Sequence, residues 1–176
     1  MAYGPDIVKA AVSKDSGFAK ANRYQVMIIP PAGDGPPSPF VVRKLDLFAE
    51  NVTLPGKQIN TFDYPFDALR NMVKYPNGFM TEDVSIVFRL TNTYDIKALF
   101  DRWQSYIINK NYLLEYPSMY ETTILIKQLD EKNIPIYTVK LLNAYPLTVG
   151  AIDLNSESTN TISKLSVTFT YSTLEH

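Results

Sequence analysis

"ISKLSVTFTYS", residues 162–172, is the stretch that decides the fold. Leu165, Val167, Phe169 and Tyr171 alternate with Ser166, Thr168, Thr170 and Ser172, the period of two that a strand with one buried face keeps. The opposite face carries hydroxyls and no charge, which suits either water or the inside of a larger assembly. An Asn/Ser-rich run precedes this strand, and "NAYPLTVGAIDLN", residues 143–155, precedes that. Its middle is apolar and strand-like, yet Pro146 and Gly150 interrupt it. Such punctuation reads as a corner where the chain passes between sheets.

Working outward, "EDVSIVFRL" (82–90) sets Val84, Ile86, Phe88 and Leu90 on one face. "RYQVMIIP" (23–30), with Tyr24, Val26 and Ile28 in step, and "ETTILIKQLD" (121–130) also read as strands. A "DEKN" turn links the latter to "PIYTVKLLNAY" (135–145). "TNTYDIKALFDRWQSYIIN" (91–109) differs: Ile96, Leu99, Phe100, Trp103, Tyr106 and Ile107 fall at helical spacing. A helix is predicted over 94–109, with Thr93 as N-cap and Asp95 in the first turn, near the positive end of the helix dipole. The proline-rich 30–39 is a loop. "FVVRKLDLFAENVTLP" (40–55) reads as extended up to the Pro55-Gly56 turn, and "KQINTFDYPF" as a further strand stopped by Pro65. "DALRNMVKYPNGF" (67–79) reads as irregular, ending in a Pro76-Asn77-Gly78 turn. The sum is about seven strands and one central helix without βαβ alternation. The expected fold is mainly β, a β-sandwich or open barrel flanked by a helix, in one domain spanning 1–176 with an arm at 1–22.

Composition narrows the function classes. At 176 residues, 45% hydrophobic, the chain suffices for one self-sufficient core. A net charge of −1 gives none of the basic excess a nucleic-acid binder needs. Without cysteine there is no disulfide, thiolate metal site or thiol nucleophile, and the single histidine, His176, is terminal. No phosphate-binding glycine motif stands at a strand–helix junction, and Gly33-Asp34-Gly35 sits among prolines. The acid pairs Asp63/Asp67, Glu82/Asp83 and Asp130/Glu131 decorate turns and strand ends. Tyr112, Tyr116 and Tyr120 suit core edges or interface anchors better than a ligand platform. The expected catalytic, cofactor and metal sites are therefore none, and the protein is not expected to be an enzyme. No signal-peptide core and no apolar run of membrane-spanning length occurs in the sequence, so no membrane insertion is expected. Leu174, Glu175 and His176 read as either native or the stub of a purification-tag linker.

The order of the C-terminal elements resembles the tail tube proteins of contractile-tailed bacteriophages. The resemblance rests on Tyr145-Pro146, Val149-Gly150, Ile152-Asp153-Leu154, the Asn155–Asn160 turn, and Ile162 through Val167-Thr168-Phe169 to Tyr171. "FAKANRYQVMI", "NVTLPGKQINT", "GFMTEDVSIVFRL" and "FDRWQ" (100–104) follow the family in the same order, so the likeness covers nearly the whole chain. The ending "YSTLEH" and the loop at 30–39 depart from it. The resemblance implies hexameric rings that stack into a hollow tube inside a contractile sheath. Strands of each copy would line a channel for double-stranded DNA that passes without sequence-specific binding. It implies the sheath, baseplate and tape measure proteins as partners, and a virion location after assembly in the host cytoplasm. It places ring stacking in the region 55–80, on Gln58, Asn60, Phe62, Tyr64, Phe66, Arg70, Met72, Lys74, Tyr75 and Asn77. Trp103, Tyr145, Pro146, Gly150, Asp153, Phe169 and Tyr171 would form the family's core and turn. The alternatives are a baseplate tube-initiator or secretion-type needle ring protein, or, in another class, a monomeric carbohydrate- or peptide-binding β-sandwich.

Overall fold

A computed structural model describes residues 18–31, 39–65, 72–108, 113–152, 154 and 161–176. The first part of the arm (1–17), Phe66, Arg70, Tyr112, Asp153, the 155–160 turn and most of the proline-rich loop lie outside the described residues, as does the last position of the expected helix.

The elements in order are β1 (Tyr24–Ile28), α1 (Pro39–Phe48), β2 (Ala49–Val52), β3 (Lys57–Pro65), β4 (Met72–Thr81), β5 (Val84–Arg89), α2 (Asp95–Ile107), α3 (Pro117–Tyr120), β6 (Thr122–Leu129), β7 (Pro135–Val149), β8 (Lys164–Thr170) and β9 (Thr173–Glu175). The main sheet runs β1-β6-β7-β8-β5-β2, with β9 also on β7, and its strand pairs are all antiparallel. Its end strands approach each other: the Tyr24 hydroxyl donates to the Ala49 carbonyl at 3.1 Å. The result is an open barrel, its seam bridged by a side chain instead of a ladder.

β7 is the spine. Along its first part it pairs with β6 on one side and β9 on the other; along its second it pairs with β8. β8 and β9 form one ribbon against it, since Tyr145↔Thr170 and Leu142↔Thr173 belong to the same register. Between these pairs Asn143 adopts a left-handed φ of 55°. Asn tolerates that conformation better than most residues. Its amide also donates to Ser172 Oγ at 2.9 Å, while the Ser172 amide donates to Leu142 O at 3.1 Å.

The alternating residues fill the core as their period requires. Val84, Ile86 and Phe88 of β5 and Leu165, Val167 and Phe169 of β8 are fully buried, facing Val26, Ile124, Ile126, Val139 and Leu141. α2 lays Ile96, Phe100 and Trp103 on this core. The Phe100 ring lies 5.5 Å from Phe88 and 5.8 Å from Phe169, between the two central strands. Trp103 stacks on Phe100 and donates its indole N–H to Tyr120 O at 2.9 Å, so its polar atom is satisfied inside an apolar site.

The structure corrects several expectations. Residues 39–48 are a helix, not an extended segment. Val41, Val42, Leu45 and Phe48 recur at intervals of three and four, Pro39 stands at the first position, and Leu45 is fully buried. The β-branched valines hid that period. α2 is capped by Tyr94, with φ 51° and no side-chain cap bond, instead of by Thr93, whose hydroxyl donates to the Asp95 carboxylate at 2.8 Å. Of the "irregular" stretch before Gly78, the described part from Met72 onward is β4, which continues through Pro76-Asn77-Gly78 with a bulge. Tyr145-Pro146 does not end a strand, since β7 continues to Val149. Leu174 is a core residue on β9, paired with Leu141 of β7.

Candidate functional site

The feature that stands apart is the β3–β4 hairpin. It forms its own two-stranded sheet, and nearly all of its described residues are exposed. A lone hairpin is marginal in water, so one of this length calls for a partner outside the fold.

Register sorts its side chains into two faces. Gln58, Asn60, Phe62 and Tyr64 of β3 stand opposite Met80, Gly78, Tyr75 and Val73 of β4. On this face the Phe62 ring centroid is 6.0 Å from that of Tyr75, and Tyr64 meets Tyr75 edge-on at 6.1 Å. The other face pairs Ile59 with Phe79, Thr61 with Pro76, Asp63 with Lys74, and Pro65 with Met72. Asn77 is the extra residue of a bulge, since Asn60 pairs with Gly78 and Thr61 with Pro76. Gly78 takes φ 137° there, a conformation that L side chains rarely adopt. The bulge re-phases β4 so that apolar side chains keep to both faces on either side of it.

The expected stacking residues thus divide. Gln58, Asn60, Phe62, Tyr64 and Tyr75 share the aromatic face, Met72 and Lys74 lie on the other, and Asn77 forms the bulge. Ile59, Val73, Phe79 and Met80, which were not among the expected stacking residues, are also exposed on these faces, with Phe79 at 73%. Alternation of Val73, Tyr75 and the later pair Phe79-Met80 was the available signal; Pro76-Asn77-Gly78 masked it as a turn.

A second surface is the outer face of the β7–β8–β5 part of the sheet. Thr148 and Ser85 both pair with Thr168, and Ser85 Oγ lies 3.2 Å from Ser166 Oγ. Arg89 and Lys164, opposite each other at the end of this face, both donate to Glu50 Oε1, at 3.4 and 2.9 Å. The hydrogen bond from Lys164, then that from Arg89, holds the Glu50 carboxyl below its ordinary pKa. One carboxylate is thereby shared by two cations, which leaves a single net positive charge beside a field of hydroxyls.

The core-and-turn residues fall within the barrel. Trp103, Phe169 and Tyr171 are buried, Pro146 is buried opposite Phe169, and Tyr145 meets Tyr120 edge-on at 5.3 Å. The Gly150 amide donates to Ser166 O at 2.7 Å, where a Cβ on Gly150 would sit 2.9 Å from that same oxygen. Among the described residues no group of three or more His, Asp or Glu side chains could hold a metal ion.

The fold is thus an open barrel carrying a separate hairpin with exposed apolar side chains. The comparisons give that fold its family. The chain belongs to the phage tail tube protein family, whose model matches residues 19–175. It is a structural tail tube subunit. Among solved structures it is similar in fold to a chain of the anti-feeding prophage baseplate, with a TM-score of 0.64 at 16% identity, covering 90% of this chain and 94% of that one. It is also similar to a chain of the PVC sheath–tube complex of an extracellular contractile injection system in the extended state, with a TM-score of 0.60 at 14% identity over 99% and 97% of the two chains. A chain of the anti-feeding prophage tube-terminating cap aligns with a TM-score of 0.62 at 15% identity, over 90% of this chain and 89% of that one. No curated protein matches by sequence.

Proposed function

We propose that six copies close into a ring, that rings stack through the β3–β4 hairpin into a hollow tube within a contractile sheath, and that the tube conducts double-stranded DNA. The observation that carries this reading is the hairpin itself, with apolar side chains exposed along strands that, among the described residues, pair with no other strand. Head-to-tail contact between copies closes a ring when the rotation permits and leaves two unlike faces for stacking. Ring closure also covers free edges such as β2, which would otherwise invite uncontrolled pairing.

The Ser/Thr face of β8, β5 and β7 is our choice for the channel wall. DNA binds proteins chiefly through cations on its phosphates, and each such contact adds friction to passage. On this face Arg89 and Lys164 are both tied to Glu50, which cuts their two positive charges to a net one, and the Ser and Thr positions beside them offer hydroxyls. Sheath, baseplate and tape measure proteins are the expected partners, and the virion tail, after assembly in the host cytoplasm, the expected location. The likeness to baseplate and cap chains keeps one second reading in play, an initiating or terminating ring of the same fold. Such a ring would leave one axial face that does not accept another copy.

Electron microscopy of the purified protein, alone and with a baseplate template, tests the proposal. Stacked six-fold rings are the expected result. Single rings that never stack would favour the initiator reading, and particles that stay monomeric with the template would remove both.

A further inference from the structure

The stacking reading leaves a puzzle: the hairpin is apolar on both faces. Phe62, Tyr64, Val73, Tyr75 and Met80 are 38–55% exposed on one, and Ile59, Met72 and Phe79 are 54–73% exposed on the other. One flat docking surface would leave the second set in water.

We infer that each hairpin is clamped between two copies of the chain in the adjoining ring, the aromatic face against one and the Ile59–Phe79–Met72 face against the other. The inference rests on the stacking reading and deepens it. Area supports it. Taking about 150–250 Å² for each large side chain when fully bare, these exposures give roughly 340–570 Å² on the aromatic face and roughly 280–470 Å² on the other. A stable interface takes about 800 Å² per partner, which neither face reaches alone and the two reach together. Geometry supports it too. A slot with two opposed walls about 20 Å apart, one sheet spacing on either side of the hairpin, is what neighbouring copies create where they meet in a ring. Stacking then requires a closed ring, because a lone copy offers only one wall.

The chain contains no cysteine, so single thiols report cleanly. Thr61→Cys places one on the Ile59–Phe79 face and Gln58→Cys one on the aromatic face, at exposed positions. Maleimide labelling is compared between assembled tubes and unassembled protein. Protection of at least tenfold at both positions is the expected result. Tubes in which either thiol labels at the unassembled rate would overturn the clamp and leave stacking intact. Failure of both variants and the parent protein to form tubes on a template would overturn stacking, and the clamp with it. As a second arm, Phe62→Ser and Phe79→Ser are each expected to reduce tube yield at least tenfold while circular dichroism stays native. Loss from only one of them would contradict a two-sided contact.

Discussion

At Gly150 the missing side chain is a packing requirement. Its amide bonds Ser166 O at 2.7 Å and a Cβ would press on that oxygen at 2.9 Å, against backbone that cannot swing away. Gly150→Ala is therefore expected to destabilise the fold by about 1–3 kcal/mol, read from denaturant midpoints at unchanged m. Tyr171 gives the opposite expectation. Its ring is buried, its hydroxyl has no hydrogen-bond partner among the described residues, and burial pushes its pKa up. Tyr171→Phe should leave the melting temperature unchanged or raise it, since it removes a polar group that is desolvated without return. Gly150 was legible as special from "VG" after a proline, but its reason was not. The close approach of Ser166 is a contact between segments that only folding brings together.

Among the elements, legibility followed the strength of the period. β5, β8 and α2 were read correctly because Val84–Phe88, Leu165–Phe169 and Ile96–Trp103 each repeat cleanly and are buried as the repeat demands. α1 was missed because two adjacent valines suggest a strand and its helical period spans only 10 residues. Tertiary contacts help fix α1: Lys44 forms an ion pair with Asp95 at the start of α2, and Gln25 of β1 donates to Asp46 at 3.0 Å. The Lys44 hydrogen bond, then that of Thr93, holds the Asp95 carboxyl below its ordinary pKa. A carboxyl depressed in the folded state contributes stability above its unfolded pKa and loses it as pH falls through the folded value. Asp95→Asn should lower the melting temperature at pH 7. The difference from the parent should shrink as the pH falls below the ordinary carboxylate range, where the unfolded chain's carboxyl protonates first, and be gone once the depressed folded carboxyl protonates too. A difference independent of pH would sink the ion-pair account.

For the whole molecule, the open barrel was legible from the strands, and the strand character of β4 was not. Alternating strands announce a core, and the core is there. A hairpin apolar on both faces, however, breaks the rule that one face of a strand is wet, so β4 looked irregular in isolation; its pattern makes sense only with other copies present. The hydroxyl face of β8 has the same logic and yields a further expectation. Glu50→Gln would release Arg89 and Lys164 from their shared carboxylate. Tubes of that variant should retain double-stranded DNA at low salt and release it as salt rises, whereas the parent tubes do not retain it. Equal retention by both would remove this face from the channel wall.

Whether this chain closes into rings that stack by the β3–β4 hairpin is tested by a cryo-electron microscopy reconstruction of the assembled protein. The account predicts six copies per ring, an open axial channel, and density for residues 57–65 and 72–81 reaching into the next ring. Rings that stack with the hairpin folded back on its own barrel, or exposed to solvent, would contradict it.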